Sequence, residues 1–359
     1  MGFNSLKPYQ FRNLVNAEVR FSAPRIFLVG ENGQGKSNLL EAVYLLSFGS
    51  SFRTRRDQEL ILRGEQEMAL HGTTTDRSIA LAITSKSGTG KQIRLDGNPV
   101  KDRKELVSLF PAIIFCHDDI TFAKGSPDRK RWFFDQTMSL HDPLFIDSLR
   151  SYRKLLRMRN IALREGASDL LDVYDRQMAS SGLFIQKKRK EAVFDMNKLF
   201  TTIFGYVSAM DGEMLIDYRP AWRALEDEEE VCRFLKKRRE SDIEMGTSTS
   251  GPHRDRFVFL HQGKDFSTIA STGQLRLLSL LLRVGQARFY HEKSGKKPIL
   301  LLDDVLLELD PARRERFLET LPEADQSFFT FLPDRQYLSL MDGETELFKV
   351  KNGEFFLES

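Results

Sequence analysis

Eight consecutive residues, Gly30-Glu31-Asn32-Gly33-Gln34-Gly35-Lys36-Ser37, constrain this chain more than any other stretch. Their spacing is that of a phosphate-binding loop. The flanks agree. Ile26-Phe27-Leu28-Val29 is a short apolar run that suits a strand buried on both faces. After Ser37, Leu39, Leu40, Val43 and Leu46 recur at helical spacing until Gly49. The expected unit is strand, loop and amphipathic helix, and therefore an α/β fold. The glycines let successive N–H groups turn inward, and the helix N-terminus favours anions. Lys36 is expected to neutralise the β- and γ-phosphates of a nucleotide, and Ser37 to ligate Mg²⁺ through its hydroxyl.

Two further strings extend this reading. Pro298-Ile299-Leu300-Leu301-Leu302 is a buried strand that delivers Asp303 and Asp304 at its end. Asp303 is expected to hold the water shell of Mg²⁺, and Asp304 to orient or deprotonate the attacking water. Ser271-Thr272-Gly273-Gln274 precedes a long apolar helix candidate, Leu275 to Tyr290. There Ser271 can cap the helix, and Gly273 permits a phosphate to approach the backbone.

Between these strings the composition shifts. Glu67 to Arg94 is strand-like, and Asp96-Gly97-Asn98-Pro99 is a turn. From about Pro127 to Glu244 the chain is rich in Arg, Lys, Glu, Leu and Met and reads as helical. Strand-like text returns at Arg256 to Leu260. The expected division is residues 1–126 and 246–359 as two halves of one α/β head, with 127–245 as an inserted helical lobe. The net charge of +3 is too small to argue for nucleic acid by itself. The two cysteines, Cys116 and Cys232, have no zinc spacing. There is no apolar run long enough for a bilayer span and no leader-like start, so a cytoplasmic, non-membrane protein is expected.

The string at Ser271 resembles the signature of ABC-type ATPases, and Val305 to Asp310 resembles their D-loop, ending at Asp310. That resemblance implies that the signature of one copy contacts ATP held by another, and so an ATP-dependent homodimer. Asp310 before Pro311 also suits the cap of the next helix. A transporter ATPase is disfavoured, because Thr330-Phe331 stands where transporters carry a switch His.

Further strings resemble the RecF family over nearly the whole chain. They are Phe11-Arg12-Asn13-Leu14, Ser37-Asn38-Leu39-Leu40-Glu41-Ala42, Ser51-Phe52-Arg53, Gly125-Ser126-Pro127 with Arg129-Lys130-Arg131 and Asp135, Tyr152 to Leu163, and Thr249-Ser250-Gly251-Pro252-His253-Arg254-Asp255. The resemblance implies an ABC-type head without a long coiled coil and a weak, DNA-stimulated ATPase serving as a switch. It further implies binding to double-stranded and gapped DNA, and action with RecO and RecR in loading RecA during recombinational repair, replication restart and the SOS response. Leu307 departs from the family's usual D-loop Ser, and Phe331 is unusual for a polar site.

Several polar residues are left over. A lone His253 is expected to shape its loop by hydrogen bonding, and Arg254 with Asp255 to form a structural ion pair. Arg12 and Asn13 are guesses for base contact. Basic runs at Arg129-Lys130-Arg131, at Arg150 to Arg159, at Lys187-Lys188-Arg189-Lys190 and at Lys236-Lys237-Arg238-Arg239 read first as solvated helix faces, but together they can make a surface that tracks DNA phosphates with little sequence readout.

Overall fold

The computed structural model describes residues 2–85, 90–334 and 336–358. The chain packs as two compact units, Met1–His117 with Ser294–Ser359, and Asp118–Lys293. The sequence reading placed these divisions at 126/127 and 245/246. The second unit is larger than the helical stretch because it also keeps the strand at Arg256–His261 and the helix at Thr272–Ser294.

The first unit begins with strands β1 (Ser5–Tyr9), β2 (Val19–Arg20) and β3 (Arg25–Val29), then helix α1 (Lys36–Phe48). Strands β4 (Glu67–Thr73), β5 (Ser78–Thr84), β6 (Gly90–Leu95) and β7 (Asn98–Pro99) follow, then α2 (Lys104–Leu109) and β8 (Ala112–Phe115). The second unit holds α3 (Ile120–Lys124), α4 (Pro127–Ser139), α5 (Pro143–Glu165), α6 (Ser168–Ser208) and β9 (Met214–Arg219). It continues through α7 (Glu228–Lys237), α8 (Arg239–Met245), β10 (Arg256–His261), β11 (Lys264–Asp265), α9 (Phe266–Ile269) and α10 (Thr272–Ser294). The chain then returns to the first unit with β12 (Ile299–Leu302), α11 (Pro311–Thr320), β13 (Gln326–Phe331), β14 (Thr345–Lys351) and β15 (Glu354–Glu358).

Two sheets enclose α1. One is antiparallel, in the order β2-β1-β4-β5-β6-β7. Its inward residues alternate, with Met68 and Leu70 on β4 and Ile79, Leu81 and Ile83 on β5. The other runs β15-β14-β3-β13-β12-β8, and β14, β3, β13, β12 and β8 are parallel. Residues of both sheets and of α1 join one apolar cluster. The sequence led us to expect an amphipathic α1. In the structure it is buried nearly all round, Leu39 to Ser47 included, because it lies between two sheets.

The parallel sheet positions the site. Its register pairs Leu302 with Phe329 and Phe329 with Phe27. The residues just beyond these strands therefore emerge together at one edge, where parallel α/β sheets place their ligands.

In the second unit, α5 starts at Asp142, whose carboxylate accepts from the Leu144 and Phe145 N–H groups, with Pro143 at the first helical position. It ends at Gly166 with φ +68°. The 41-residue α6 returns beside it. Strand β9 was not foreseen. It pairs antiparallel with β10, and this sheet packs on α4 and α6, with Phe134 stacked on Phe257 at 4.0 Å between centroids.

Candidate functional site

The loop at Gly30–Ser37 joins β3 to α1, as the sequence led us to expect. Gly33 and Gly35 have φ of +80° and +115°, a region that suits glycine. Gly30 is constrained by space, since a Cβ there would lie 2.4 Å from the Val350 carbonyl oxygen. The Lys36 ammonium is buried within the loop and donates to the carbonyls of Gly30 (2.6 Å) and Glu31 (3.1 Å).

The Ser37 hydroxyl donates to Asp303 Oδ1 at 2.6 Å. Asp303 follows β12, and its own N–H donates to the Phe115 carbonyl. Burial pushes its carboxyl above the usual range; the Ser37 hydrogen bond opposes that rise and the Asp304 carboxylate adds to it. Asp304 sits at φ +54°, an uncommon conformation for a residue with a side chain. Thr330 on β13 is buried and holds it. The Asp304 N–H donates to Thr330 Oγ1 at 2.7 Å, and the Thr330 hydroxyl donates to Asp304 Oδ1 at 2.8 Å, with Asp303 Oδ1 3.3 Å away. Sequence reasoning assigned Thr330 no role of its own, because its place beside the aspartates follows from the β12–β13 register.

Around the loop lies a polar shell. Asn13 Nδ2 donates to the Gly33 carbonyl at 2.9 Å, and Asn38 Nδ2 donates to Asn13 Oδ1 at 2.6 Å. The fully buried Glu41 accepts from Arg12 Nε and Nη2, both at 2.9 Å, and from the Ser51 hydroxyl at 2.5 Å. Arg53 donates to Asn38 at 2.6 Å and also reaches Glu41. Arg12 and Asn13, the guesses for base contact, have a structural use here. The guanidinium neutralises a buried carboxylate, and the amide holds the loop. The Asn352–Gly353 turn between β14 and β15 grips Gln34. The N–H of Asn352 donates to Gln34 Oε1 at 2.6 Å and that of Gly353 to the Gln34 carbonyl at 2.8 Å.

Ser271 caps α10 in the second unit. Its hydroxyl accepts from the Gln274 N–H at 3.3 Å, and Gln274 Oε1 accepts from the Ser271 N–H at 2.8 Å, a reciprocal capping box. Thr272 and Gly273 are exposed in the first turn. Asp310 caps α11 through the Arg313 N–H at 3.0 Å, with Pro311 at the first helical position. Before it, Leu306 is buried and Leu307 half-buried in a short 3₁₀ turn.

The remaining polar residues sort differently from their sequence reading. Asp255 does not pair with Arg254. It binds Arg189 Nη1 at 2.7 Å, Gln186 at 2.8 Å, the Tyr218 hydroxyl at 2.5 Å and the Ala221 N–H at 2.7 Å, while Arg189 also holds Asp135. Arg254 reaches the Ser248 carbonyl instead. His253 shapes its loop: Nε2 donates to the Ser248 carbonyl at 3.0 Å, and Nδ1 accepts from the Tyr152 hydroxyl at 2.8 Å. Burial lowers its pKa to about 4. Arg159 is fully buried against Asp175, Asp242 and Ser248. Arg189, Arg159 and Lys130 therefore leave the set of residues that can track DNA, because burial removes them from its reach. Arg150, Arg153, Lys154 and Arg157 remain exposed, spaced along one face of α5.

A glycine-bent phosphate loop at the end of a central parallel strand, with Ser37 bonded to an acid two strands away, defines a P-loop nucleotide-binding head, and the antiparallel sheet packed across α1 makes it an ATPase head of the ABC type. The RecF/RecN/SMC N terminal domain model matches residues 3–355. The DNA replication and repair protein RecF of Treponema pallidum is 40% identical over 353 residues, covering 96% of this chain and 97% of its own. That of Leptospira interrogans is 30% identical, covering 96% of each. A solved structure of the recombination mediator protein RecF with ATP, in the RecFOR pathway, matches with a TM-score of 0.88 at 29% identity, covering 99% of this chain and 97% of that one. An Smc head domain from Pyrococcus furiosus matches with a TM-score of 0.55 at 16% identity, which speaks to the fold alone. The chain belongs to the RecF/RecN/SMC family, among its RecF members. No helix among the described residues is long and apolar enough to cross a membrane.

Proposed function

We propose that this chain is an ATP-dependent DNA-binding recombination mediator, a slow ATPase whose bound nucleotide joins two copies on DNA. The observation that carries it is the meeting of Ser37, Asp303, Asp304 and Thr330 at the carboxyl end of the parallel sheet, below a loop shaped for phosphate. The curated relatives are named DNA replication and repair proteins, and a solved relative is described with ATP.

The donor set fits ATP and Mg²⁺. The loop offers backbone N–H groups from Glu31 to Ser37 and the Lys36 charge, and it leaves no room for a side chain at Gly30. Ser37 and Asp303 bring a hydroxyl and a carboxylate side by side, the hard oxygen donors that Mg²⁺ prefers. Mg²⁺, when bound, supplies a counter-charge to the phosphate oxygens. Asp303 would hold its water shell, and Asp304 would accept the proton of the attacking water or orient it. Thr330 fixes Asp304 for that task. Ser271, Thr272, Gly273 and Gln274 present the capped start of α10 to nucleotide held by a second copy, with Asp310 lining the seam. The exposed cations of α5 contact the DNA backbone of double-stranded or gapped DNA without reading its sequence. In the cytoplasm, with RecO and RecR, the closed dimer helps load RecA on gaps.

The test is DNA affinity in the presence and absence of ATP. Tighter binding with ATP supports the switch, and equal binding in both conditions contradicts it.

A further inference from the structure

The last hairpin of the chain touches the phosphate loop and its flank at three points. Gly353 donates its N–H to the Gln34 carbonyl at 2.8 Å, Asn352 donates its N–H to Gln34 Oε1 at 2.6 Å, and the Gly353 carbonyl accepts from the Val15 N–H at 3.1 Å. The same segment that carries Val15 also carries Asn13, whose amide donates to the Gly33 carbonyl. Two successive loop carbonyls, those of Gly33 and Gln34, are thus each held from outside the loop. The packing is close. A Cβ on Gly353 would lie 2.1 Å from the Asn13 carbonyl oxygen, and a Cβ on Gly35 would meet Leu14, Gly353 and Asn13 at 2.9, 3.3 and 3.4 Å. Asn352 and Gly353 both have positive φ, +51° and +81°, as a two-residue hairpin turn requires.

A trans peptide points its carbonyl and its N–H in opposite directions. Holding the Gly33 carbonyl turns the Gln34 N–H to the other side, and holding the Gln34 carbonyl does the same for the Gly35 N–H. These are the groups with which such a loop grips phosphate. Free glycine-rich backbone would have to be ordered each time a nucleotide arrived, at a cost in entropy.

We infer that the Asn352–Gly353 turn and Asn13 form a clasp that preorganises two phosphate-loop peptides and so sets the affinity of this chain for nucleoside triphosphate. The clasp deepens the ATP reading of the loop and rests on it. Asn352, Gly353 and Asn13 are positioning residues, since they act through Gly33 and Gln34. The clasp also makes nucleotide affinity depend on the final strand pair, 318 residues beyond Gln34.

Three variants test it, with ATP as the probe in equilibrium titration and steady-state hydrolysis. Asn13→Ala removes an exposed amide and one anchor with it. Asn352→Pro removes the N–H donor and cannot adopt positive φ, whereas Asn352→Gly keeps both. Asn13→Ala and Asn352→Pro should each weaken ATP binding and raise KM by about ten-fold, with kcat at saturating ATP within roughly two-fold of the parent chain. Asn352→Gly should restore the parent affinity. General structural damage would instead lower kcat and the melting temperature together. If Asn352→Pro does not fold, Asn13→Ala carries the test alone. Parent-like ATP affinity in folded Asn13→Ala overturns the clasp, as does equal weakening in Asn352→Gly and Asn352→Pro. Lys36→Ala separates the two levels. If it binds ATP as the parent does, the nucleotide reading of the loop fails; if it alone loses affinity, only the clasp fails.

Discussion

Ser37 and Asp303, 266 positions apart in the chain, are joined by a hydroxyl-to-carboxylate hydrogen bond of 2.6 Å. Ser37 is in the first turn of α1 and Asp303 is one residue beyond β12, with β13 lying between β12 and β3. Two sequence motifs that are individually local become one site because the strands beneath them are parallel and in register.

Lys36→Ala should lower ATP affinity by roughly 10- to 100-fold, the drop expected when a charge-assisted hydrogen bond is removed from a buried phosphate. A nucleotide titration checks this. Unchanged affinity would overturn the nucleotide reading of the loop.

Asp304→Asn should bind ATP but hydrolyse it roughly 100-fold more slowly, since Ser37 and Asp303 remain while the carboxylate proposed to orient or deprotonate the water is gone. Thr330→Val should slow hydrolysis about ten-fold at saturating ATP, because it removes the hydrogen bond that positions Asp304, and Thr330→Ser should recover most of the rate. Single-turnover kinetics give both numbers. Parent-like rates in Asp304→Asn would show that another group activates the water.

The exposed α5 cations predict a salt signature. Replacing Lys154 and Arg157 with Ala should weaken binding to duplex DNA and flatten the plot of log affinity against log salt, by about 0.9 for each phosphate no longer neutralised. A salt titration with ATP present measures this. An unchanged slope would place the DNA elsewhere.

His253 makes folding pH-dependent. Its pKa falls from the ordinary 6.5 to about 4 in the folded chain, because burial disfavours the imidazolium. Above pH 6.5 the ring is neutral folded or unfolded. As pH falls from 6.5 towards 4, the unfolded chain takes up the proton first and stability declines, by about 3 kcal/mol in all. Thermal unfolding at pH 7 and pH 4.5 should show a smaller pH effect in His253→Gln than in the parent. An identical pH effect in the two would mean that His253 is not the group responsible.

The phosphate loop, the β12 strand and the Ser271 cap were legible because each is a short signal written in adjacent residues. Strand β9 was not. Met214–Arg219 has six residues within a helical-looking stretch, and its pairing partner β10 lies far along the chain. Charge counting placed Arg159 and Arg189 with the DNA-tracking residues, but both are buried against carboxylates contributed by other segments. Nothing near Arg159 in sequence announces Asp242. Thr330 and the Asn352–Gly353 turn were hidden for a related reason, since strand register and hairpin placement bring them to the loop.

Whether ATP joins two copies of this chain is decided by sedimentation velocity with and without the nucleotide. With saturating ATP, the parent chain and Asp304→Asn should sediment as dimers. Ser271→Arg should bind ATP yet remain monomeric, because a long cation fills the space at the start of α10 that the partner's phosphate would take. A parent chain that stays monomeric at saturating ATP, or a Ser271→Arg variant that dimerises as the parent does, would contradict the nucleotide-bridged dimer.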